Sequence, residues 1–272
     1  MAFFAVDEKK CSRDGICAAS CPIRIIRMGA PGPSLVEWGE KACIKCGHCV
    51  AACPNGAISL DGIPVSACRA LPAGWNLTAE KVETLLKGRR SIRVYKDEPA
   101  GRATIEKLID IARYAPSGIN RQPVRWAVVF DTVKVKRLAE LTVDWMRSLI
   151  KENAPIAEAL HMGNIVKAWE DGSDPIFRGA PHVIMVYSLK DDMTAPAACT
   201  IALTYFELAA VSHGLGTCWA GYAQMAVNAS RDAQKLAGIS SRAVCHGAMM
   251  LGYPKFRYSR IPSRNEPHIL WR

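Results

Sequence analysis

The chain lacks a long hydrophobic run, an excess of acidic residues and any dense basic stretch. Its longest apolar segment, Ile201 to Leu215, is interrupted by Glu207 and His213, so we expect no membrane span. The net charge is +10, and 27 basic against 19 acidic residues place +8 of it after residue 72. Because no run of five basic residues and no nucleic-acid-binding motif accompanies this charge, the sequence favours an acidic redox partner or an anionic cofactor over nucleic acid.

The sequence also lacks the side-chain sets of several enzyme classes. Its six histidines have no metal-ligand spacing, and no Ser–His–Asp set or catalytic pair of carboxylates is evident. A Rossmann glycine fingerprint is missing as well. Half of the 272 residues are apolar and 22% are charged, as in a globular protein with room for one small and one ordinary domain.

Cysteine is instead abundant near the N-terminus, where seven of the eleven cysteines form two runs. The run from Cys43 to Pro54 is a complete C-x2-C-x2-C-x3-C-P, which is the spacing for a 4Fe–4S cluster of the bacterial ferredoxin type. The run from Cys11 to Pro22 fits the same template, except that Asp14 replaces the second cysteine. These patterns predict two iron–sulfur clusters and transfer of electrons one at a time.

The two runs resemble those of a two-cluster ferredoxin over residues 1–62. In that arrangement the first three ligands of each run bind one cluster, and the cysteine before proline binds the other cluster. One predicted ligand set is Cys43, Cys46, Cys49 and Cys21. The other is Cys11, Asp14, Cys17 and Cys53. The segments that follow Pro22 and Pro54 occupy equivalent places, so we also predict an internal duplication.

Asp14 leaves the nature of its cluster open, because a carboxylate is a harder and weaker iron ligand than a thiolate. The cluster is either 4Fe–4S with an oxygen ligand or 3Fe–4S. Zinc is disfavoured, since zinc ribbons use separated C-x2-C pairs. Disulfides are disfavoured because the first residues show no secretory signal, and reduced clusters and thiolates lead us to expect a reducing cytoplasm.

The segment 61–76 contains Gly62, Pro64, Pro72 and Gly74, and residues 63–76 are predicted to be a linker before a second domain over residues 77–272. Hydrophobic periodicity and breaking residues there predict helices interspersed with strands. The predicted helices span 78–88, 105–115, 138–149, 196–213 and 232–237, with one more within 156–170. The predicted strands span 126–131, 183–189, 217–221 and 244–251. This pattern is typical of an α+β domain with a sheet buried between helices.

Four separated segments of the second domain carry polar groups suited to an anionic cofactor. They are Arg89–Arg93, Ala115–Pro123, Gly214–Gly221 and Gly252–Pro262. Guanidinium groups offer paired donors to a phosphate, and Asn and Gln side chains bond both donor and acceptor edges of a heterocycle. Each segment alone also matches an ordinary turn or helix flank. Their joint order and spacing across one domain indicate a cofactor site.

Together the four segments resemble the FMN-dependent nitroreductase family over residues 77–264. The resemblance implies FMN, a homodimer with two flavin sites, and a central, mainly antiparallel sheet between helices. The residues that it assigns to the phosphate, ribityl chain and pyrimidine edge are Arg89, Arg90, Ser91 and Arg93, with Arg260 on the phosphate and Lys255 assisting. The residues that it assigns to a loop covering the flavin are Pro116, Ser117, Gly118 and Asn120. Trp219, Ala220 and Gly221 correspond to a strand end beside flavin N5.

Two positions depart from the family pattern. Ala220 stands where many members have a glutamate, which removes a carboxylate from a nicotinamide site. Gly118 stands where a second serine is common, which removes a hydroxyl near the flavin. The combined layout resembles the ferredoxin-fused nitroreductases of anaerobes.

The sequence therefore predicts a flavin-dependent oxidoreductase of the nitroreductase type. We expect the clusters to pass electrons from an external low-potential donor to FMN, which reduces a small nitroaromatic, quinone or other unsaturated substrate. Two alternatives stay open at this stage. One is a non-enzymatic electron carrier or redox sensor, and the other is an NAD(P)H-driven flavin reductase with ancillary clusters.

Overall fold

The computed structural model describes residues 2–272 and divides into two compact units. The first unit comprises the chain up to Asn76 together with Ile119–Arg121, and the second comprises Leu77–Gly118 and Gln122–Arg272. The second unit thus begins at the predicted residue. Residues 63–76, predicted to be a linker, group with the first unit, because Ile63 and Val65 pack against its core.

The first unit consists of short helices and two small antiparallel sheets. Its elements are β1 (Phe4–Val6), α1 (Ile16–Ala19), β2 (Ile26–Gly29), β3 (Gly32–Leu35), α2 (Gly39–Ala42), α3 (His48–Ala52) and β4 (Ile58–Leu60), followed by a 3-10 turn at Val65–Ala67. Strand β1 pairs with β4, and β2 pairs with β3. The core includes Cys17 and Cys49 beside Ile25 and Ile58, so two predicted cluster ligands lie inside it.

The backbone of the first unit repeats with the period of the cysteine motifs. Left-handed conformations occur at Arg13, Gly15 and Arg24, and they recur 32 residues later at Lys45, Gly47 and Gly56. Helices α1 and α3 each begin directly after one of the two glycines. A side chain disfavours this conformation, so the glycine in each run serves the tight loop that precedes the helix. The predicted internal duplication is confirmed at the level of backbone geometry.

The second unit contains one sheet and eight helices among the described residues. Its helices are α4 (Ala79–Gly88), α5 (Arg102–Ala112), α6 (Thr132–Lys151), α7 (Pro155–Ala159), α8 (Met162–Glu170), α9 (Ala195–Ser212), α10 (Gly221–Ala229) and α11 (Arg231–Leu236). Its strands are β5 (Arg125–Val129), β6 (His182–Leu189), β7 (Gly216–Trp219) and β8 (Ala243–Gly252). The sheet order is β5-β6-β8-β7, and every neighbouring pair is antiparallel.

The central strands β6 and β8 are buried on both faces. In β6, Val183 and Met185 belong to a core shared with α6, α8, α10 and α11, whereas Ile184 and Val186 belong to a core shared with α5 and α9. Strand β8 alternates in the same way, since successive side chains of a strand point to opposite faces. The predicted α+β architecture, a mainly antiparallel sheet between helices, is confirmed.

Two predicted elements differ from the structure. Gly221 was placed in a strand, but β7 ends at Trp219 and Gly221 begins α10, a helix that the sequence analysis did not predict. The helix expected within 156–170 is split into α7 and α8 by His161, whose φ is 50°. Local patterns did not reveal either change, because α10 is short and its helicity depends on packing against β8 and α6.

Helix α9 is long and apolar enough to cross a membrane when length and composition alone are considered. In the structure 44% of this helix is buried, and Leu203 and Phe206 have no exposed surface. The helix also carries the buried carboxylate of Glu207. Its apolar character is thus used in the core between α5 and the sheet.

His182 is a buried polar residue at the start of β6. Its Nε2 accepts a hydrogen bond from the Ala100 N–H at 2.9 Å, so its Nδ1 is the atom that donates to the Phe130 carbonyl at 2.8 Å. This arrangement requires the neutral ring. Burial accordingly lowers the pKa of His182 from its ordinary value.

Because the folded pKa lies below the unfolded pKa, the free energy of unfolding should fall as the pH drops from about 6.5 towards the folded pKa, by up to about 1.4 kcal/mol per pH unit. Above that range His182 is neutral in both states and contributes no pH dependence. We expect His182→Gln to be less stable at pH 7 and to show a shallower decline of unfolding temperature between pH 7 and 5. His268→Gln, at an exposed site, is the control. An unchanged slope in His182→Gln would contradict the assignment.

Candidate cluster and flavin sites

The first unit brings together each predicted ligand set around its own cavity. One cavity is lined by Cys21, Cys43, Cys46 and Cys49. Its other walls are mainly apolar and include Phe4, Ile25, Ile26, Leu35 and Leu60. Cys21 comes from the other run, so it lies where the predicted exchange of the fourth ligand would need it.

The second cavity is lined by Cys11, Asp14, Cys17 and Cys53. Met28, Pro33 and Ile58 complete its wall. Here too the cysteine before proline reaches across from the other run. Each cavity is thus lined by one of the two predicted sets of four residues, and their binding of clusters stays a prediction.

Each donor set consists of thiols, with one carboxylate in the second set, and such donors suit iron–sulfur chemistry. Among residues 2–272, no three His, Cys, Asp or Glu side chains lie close enough together to hold one metal ion, and every described cysteine is a free thiol. Burial raises the pKa of the Cys49 thiol to about 11 and also raises that of Cys17, so these ligands need the positive charge of iron to become thiolates. The Ala57 N–H donates to Cys53 Sγ at 3.2 Å and supports negative charge on that sulfur.

Asp14 is oriented by two neighbours. Ser12 Oγ donates to Oδ2 at 2.8 Å, and the Ile16 N–H donates to Oδ1 at 3.0 Å. These two hydrogen bonds lower the pKa of the Asp14 carboxyl from its ordinary value. The side chain is thus an anion held at the mouth of the second cavity, and its ligation of iron stays a prediction.

Three of the four predicted flavin segments adjoin one another in the second unit. The Ile92 N–H donates to the Thr217 carbonyl at 2.8 Å, which joins the Arg89–Arg93 segment to β7. The Lys255 N–H donates to the Val94 carbonyl at 3.0 Å, which joins the same segment to the chain after β8. These three segments therefore adjoin one another at the β7 edge of the sheet.

Gly216 permits this close approach. A Cβ built on Gly216 would lie 2.2 Å from Ile92 Cγ1 and 2.9 Å from Pro254 Cγ, distances that no side chain tolerates. The absence of a side chain at the start of β7 thus allows the first and fourth segments to meet it.

The end of β7 has an open side. Trp219 is 38% exposed, and its ring lies beside Gly247 of β8. Ala220 is buried and donates its N–H to the Ala248 carbonyl at 2.8 Å. A Cβ on Gly221 would meet no atom within 4 Å, so there is free space where the predicted flavin contact begins.

The predicted covering loop is divided between the units. Ser117 and Gly118 belong to the second unit, where Ser117 Oγ accepts from the Gln122 N–H at 2.9 Å. Asn120 groups with the first unit and donates to the carbonyls of Ile44 and Lys45 at 3.2 and 2.8 Å. The contact of Asn120 with a flavin stays a prediction.

The predicted cationic residues fall into two groups. Arg93, Lys255 and Arg260 are exposed, and Pro116 is exposed as well. Arg89 is half-buried because its Nη1 pairs with Glu207 Oε1 at 3.0 Å, and Arg90 Nε donates to the Arg89 carbonyl at 2.8 Å. The pairing of Arg89 with Glu207 was not predicted from the sequence. The feature that could have indicated it is a lone acidic residue in a largely apolar helix.

Comparison with known proteins decides the family. Residues 86–253, more than half of the chain, match the family model described as Nitroreductase family. The chain belongs to the nitroreductase family. Residues 4–54 match a second model, the 4Fe-4S dicluster domain. The protein is therefore a flavin oxidoreductase that carries an N-terminal domain for two iron–sulfur clusters.

Individual relatives are distant but cover most of the second unit. An iodotyrosine deiodinase from Thermotoga neapolitana is 26% identical over 187 residues, 67% of this chain and 92% of the relative. Nitroreductase NfnB from Mycolicibacterium smegmatis is 24% identical over 173 residues, 54% of this chain and 74% of the relative. A nitroreductase structure from Bacteroides fragilis, solved with bound FMN, has a TM-score of 0.57 at 21% identity and covers 71% of this chain and 100% of its own. That likeness shows the shared fold.

Asp14→Cys tests the second cluster site. The replacement completes four thiolates around the second cavity, and thiolate is the softer, stronger iron ligand. We expect the variant to retain more iron per chain after exposure to air than the parent protein, measured by iron analysis and electron paramagnetic resonance. Ser12→Ala, which removes a hydrogen bond without adding a thiol, is the control. Equal or lower iron retention in Asp14→Cys would contradict the ligand assignment.

Gly216→Ala tests the close approach at β7. The added Cβ should displace Ile92, destabilise the second unit by about 1–3 kcal/mol and weaken flavin binding, as measured by urea unfolding and by flavin content after purification. Gly163→Ala is the matched control, because a Cβ at that helical position meets no atom within 4 Å. Equal stability of the two alanine variants would be incompatible with the proposed steric constraint.

Proposed function

We propose that this nitroreductase uses its two clusters to supply electrons to FMN for the two-electron reduction of a small nitroaromatic, quinone or other unsaturated substrate. When bound, FMN accepts electrons singly and passes them on in pairs. The observation that carries the proposal is that one chain holds both complete cluster donor sets and three adjoining flavin segments.

The first unit supplies what electron transfer needs. Each cavity is bounded by apolar side chains next to the donors, which limits water and so tunes the potential of a cluster. The N–H donated to Cys53 Sγ favours the reduced, more negative state. These residues therefore support a role for the unit as a carrier of single electrons.

The second unit supplies binding and electrostatics for an anionic flavin. The exposed cations Arg93 and Lys255 lie on adjoining segments and attract a phosphate or a negatively charged reduced ring. The bound FMN in the Bacteroides fragilis structure supports FMN as the flavin. No side-chain nucleophile is required for this chemistry.

We further propose a ferredoxin-like, low-potential protein as the electron donor and a homodimer as the working assembly in a reducing cytoplasm. The positive charge of the chain suits an acidic donor. Ala220 lacks the carboxylate that many family members have near the nicotinamide site, so direct reduction by NAD(P)H is the less favoured route.

Anaerobic stopped-flow spectroscopy of the cluster- and FMN-loaded protein tests the electron route. Mixing with a reduced ferredoxin should bleach the clusters first and then the flavin, and substrate should reoxidise both. Cys46→Ala should lose donor-driven turnover by at least about tenfold while it retains bound FMN, because the cluster bound by Cys46 loses a ligand. Cys68→Ala, at an exposed cysteine outside both cavities, is the matched control.

Two different results would contradict the proposed electron route. Flavin reduction by NADH or NADPH with the clusters lagging would replace the proposal by an NAD(P)H-driven reductase. Undiminished ferredoxin-driven turnover in Cys46→Ala would show that electrons bypass that cluster.

A further inference from the structure

Glu207 is a buried carboxylate that the proposed chemistry does not use. It is the one Asp, Glu, Lys, Arg or His in α9, and it is 5% exposed beside the fully buried Phe206. Removing a carboxylate from water is costly unless a charge and hydrogen bonds compensate it. The residues that contact the Glu207 carboxylate should therefore indicate its function.

Both of its partners belong to flavin segments. Arg89 Nη1 lies 3.0 Å from Glu207 Oε1, and Thr217 Oγ1 donates to the same oxygen at 3.1 Å. Thr217 is 2% exposed, so this contact is shielded from water. One carboxylate oxygen thus connects α9 to the first flavin segment and to β7.

The same two segments are joined again three residues further on. The Thr217 carbonyl accepts the Ile92 N–H at 2.8 Å. Arg90 and Ser91 are consequently held between two fixed points, Arg89 on Glu207 and Ile92 on β7. Arg90 is further restrained, because its Nε donates to the Arg89 carbonyl at 2.8 Å.

We propose that Glu207 is a positioning residue for the flavin phosphate segment, which it anchors through Arg89 and Thr217; this inference rests on the proposed flavin site. Arg89 acts as the anchor, since its charge is offset by Glu207. Arg90 and Ser91 present their side-chain hydrogen-bond donors to the flavin phosphate. Holding the segment in place before the cofactor arrives reduces the entropy that binding must overcome.

The first arm of the test compares FMN affinity with stability. FMN is titrated by quenching of its fluorescence into flavin-free protein that retains its clusters, and thermal unfolding is measured on the same samples. Glu207→Leu should bind FMN about tenfold more weakly or worse, because it leaves the half-buried Arg89 without its partner. Glu207→Gln keeps an acceptor for Arg89 and Thr217 and should recover most of the affinity. Glu106→Gln, at an exposed helix pair, is the control for loss of a carboxylate.

The double variant Glu207→Leu/Arg89→Met separates positioning from stability. It removes both charges, so the unfolding temperature should recover towards that of the parent protein. FMN affinity should stay low, because the anchor of the segment is still missing. Recovery of both quantities would overturn the positioning role and leave Glu207 as a stabilising partner alone.

The second arm requires no flavin. Hydrogen exchange of the flavin-free protein should be faster over residues 89–96 in Glu207→Leu than in the parent, and unchanged in Glu106→Gln. Unchanged exchange, or unchanged FMN affinity in Glu207→Leu, would overturn the inference. Failure of the parent protein itself to bind FMN would instead overturn the proposed function, so the two failures are distinguishable.

Discussion

The flavin half of the chain depends on the close approach of Ile92 to the first residue of β7. The backbone hydrogen bond from Ile92 to Thr217 is possible because Gly216 presents no side chain to the Ile92 side chain. Lys255 then adds a hydrogen bond to Val94 on the same segment. These few main-chain contacts bring together segments that are far apart in sequence. The buried carboxylate of Glu207 adds side-chain contacts to Arg89 and Thr217.

The cluster half depends on a different constraint, which is duplicated backbone geometry. Each cysteine run bends through a left-handed glycine before a short helix, and the later cysteine of each run reaches the cavity of the other. A thiol that is buried at Cys17 or Cys49 resists ionisation, so metal and fold depend on each other. The chain belongs to the nitroreductase family and has a 4Fe-4S dicluster domain before the nitroreductase domain, so it is a flavin oxidoreductase with an N-terminal domain for two iron–sulfur clusters.

Local patterns with one physical interpretation predicted the structure correctly. The largely apolar runs at 183–189 and 244–251 predicted strands of a sheet buried between helices, and the structure places β6 and β8 at the centre of the sheet. Local patterns did not predict α10 or the break at His161, because neither has a marked local signal and both depend on packing against other elements. Asn120 illustrates the same limit, since its hydrogen bonds are made to Ile44 and Lys45, about 75 residues away.

The amino-acid sequence by itself determined the chemistry of the protein, because thiolate spacing and the order of the polar segments restrict which cofactors the chain accepts. It also determined the fold class and the family to which the second unit belongs. Only the tertiary structure decided which side chains line the same cavity and which cationic side chain pairs with a buried carboxylate. Arg89 and Glu207 are separated by 118 residues. No local pattern encodes such a pair, since it arises only when α9 packs beside β7 and excludes water from the carboxylate.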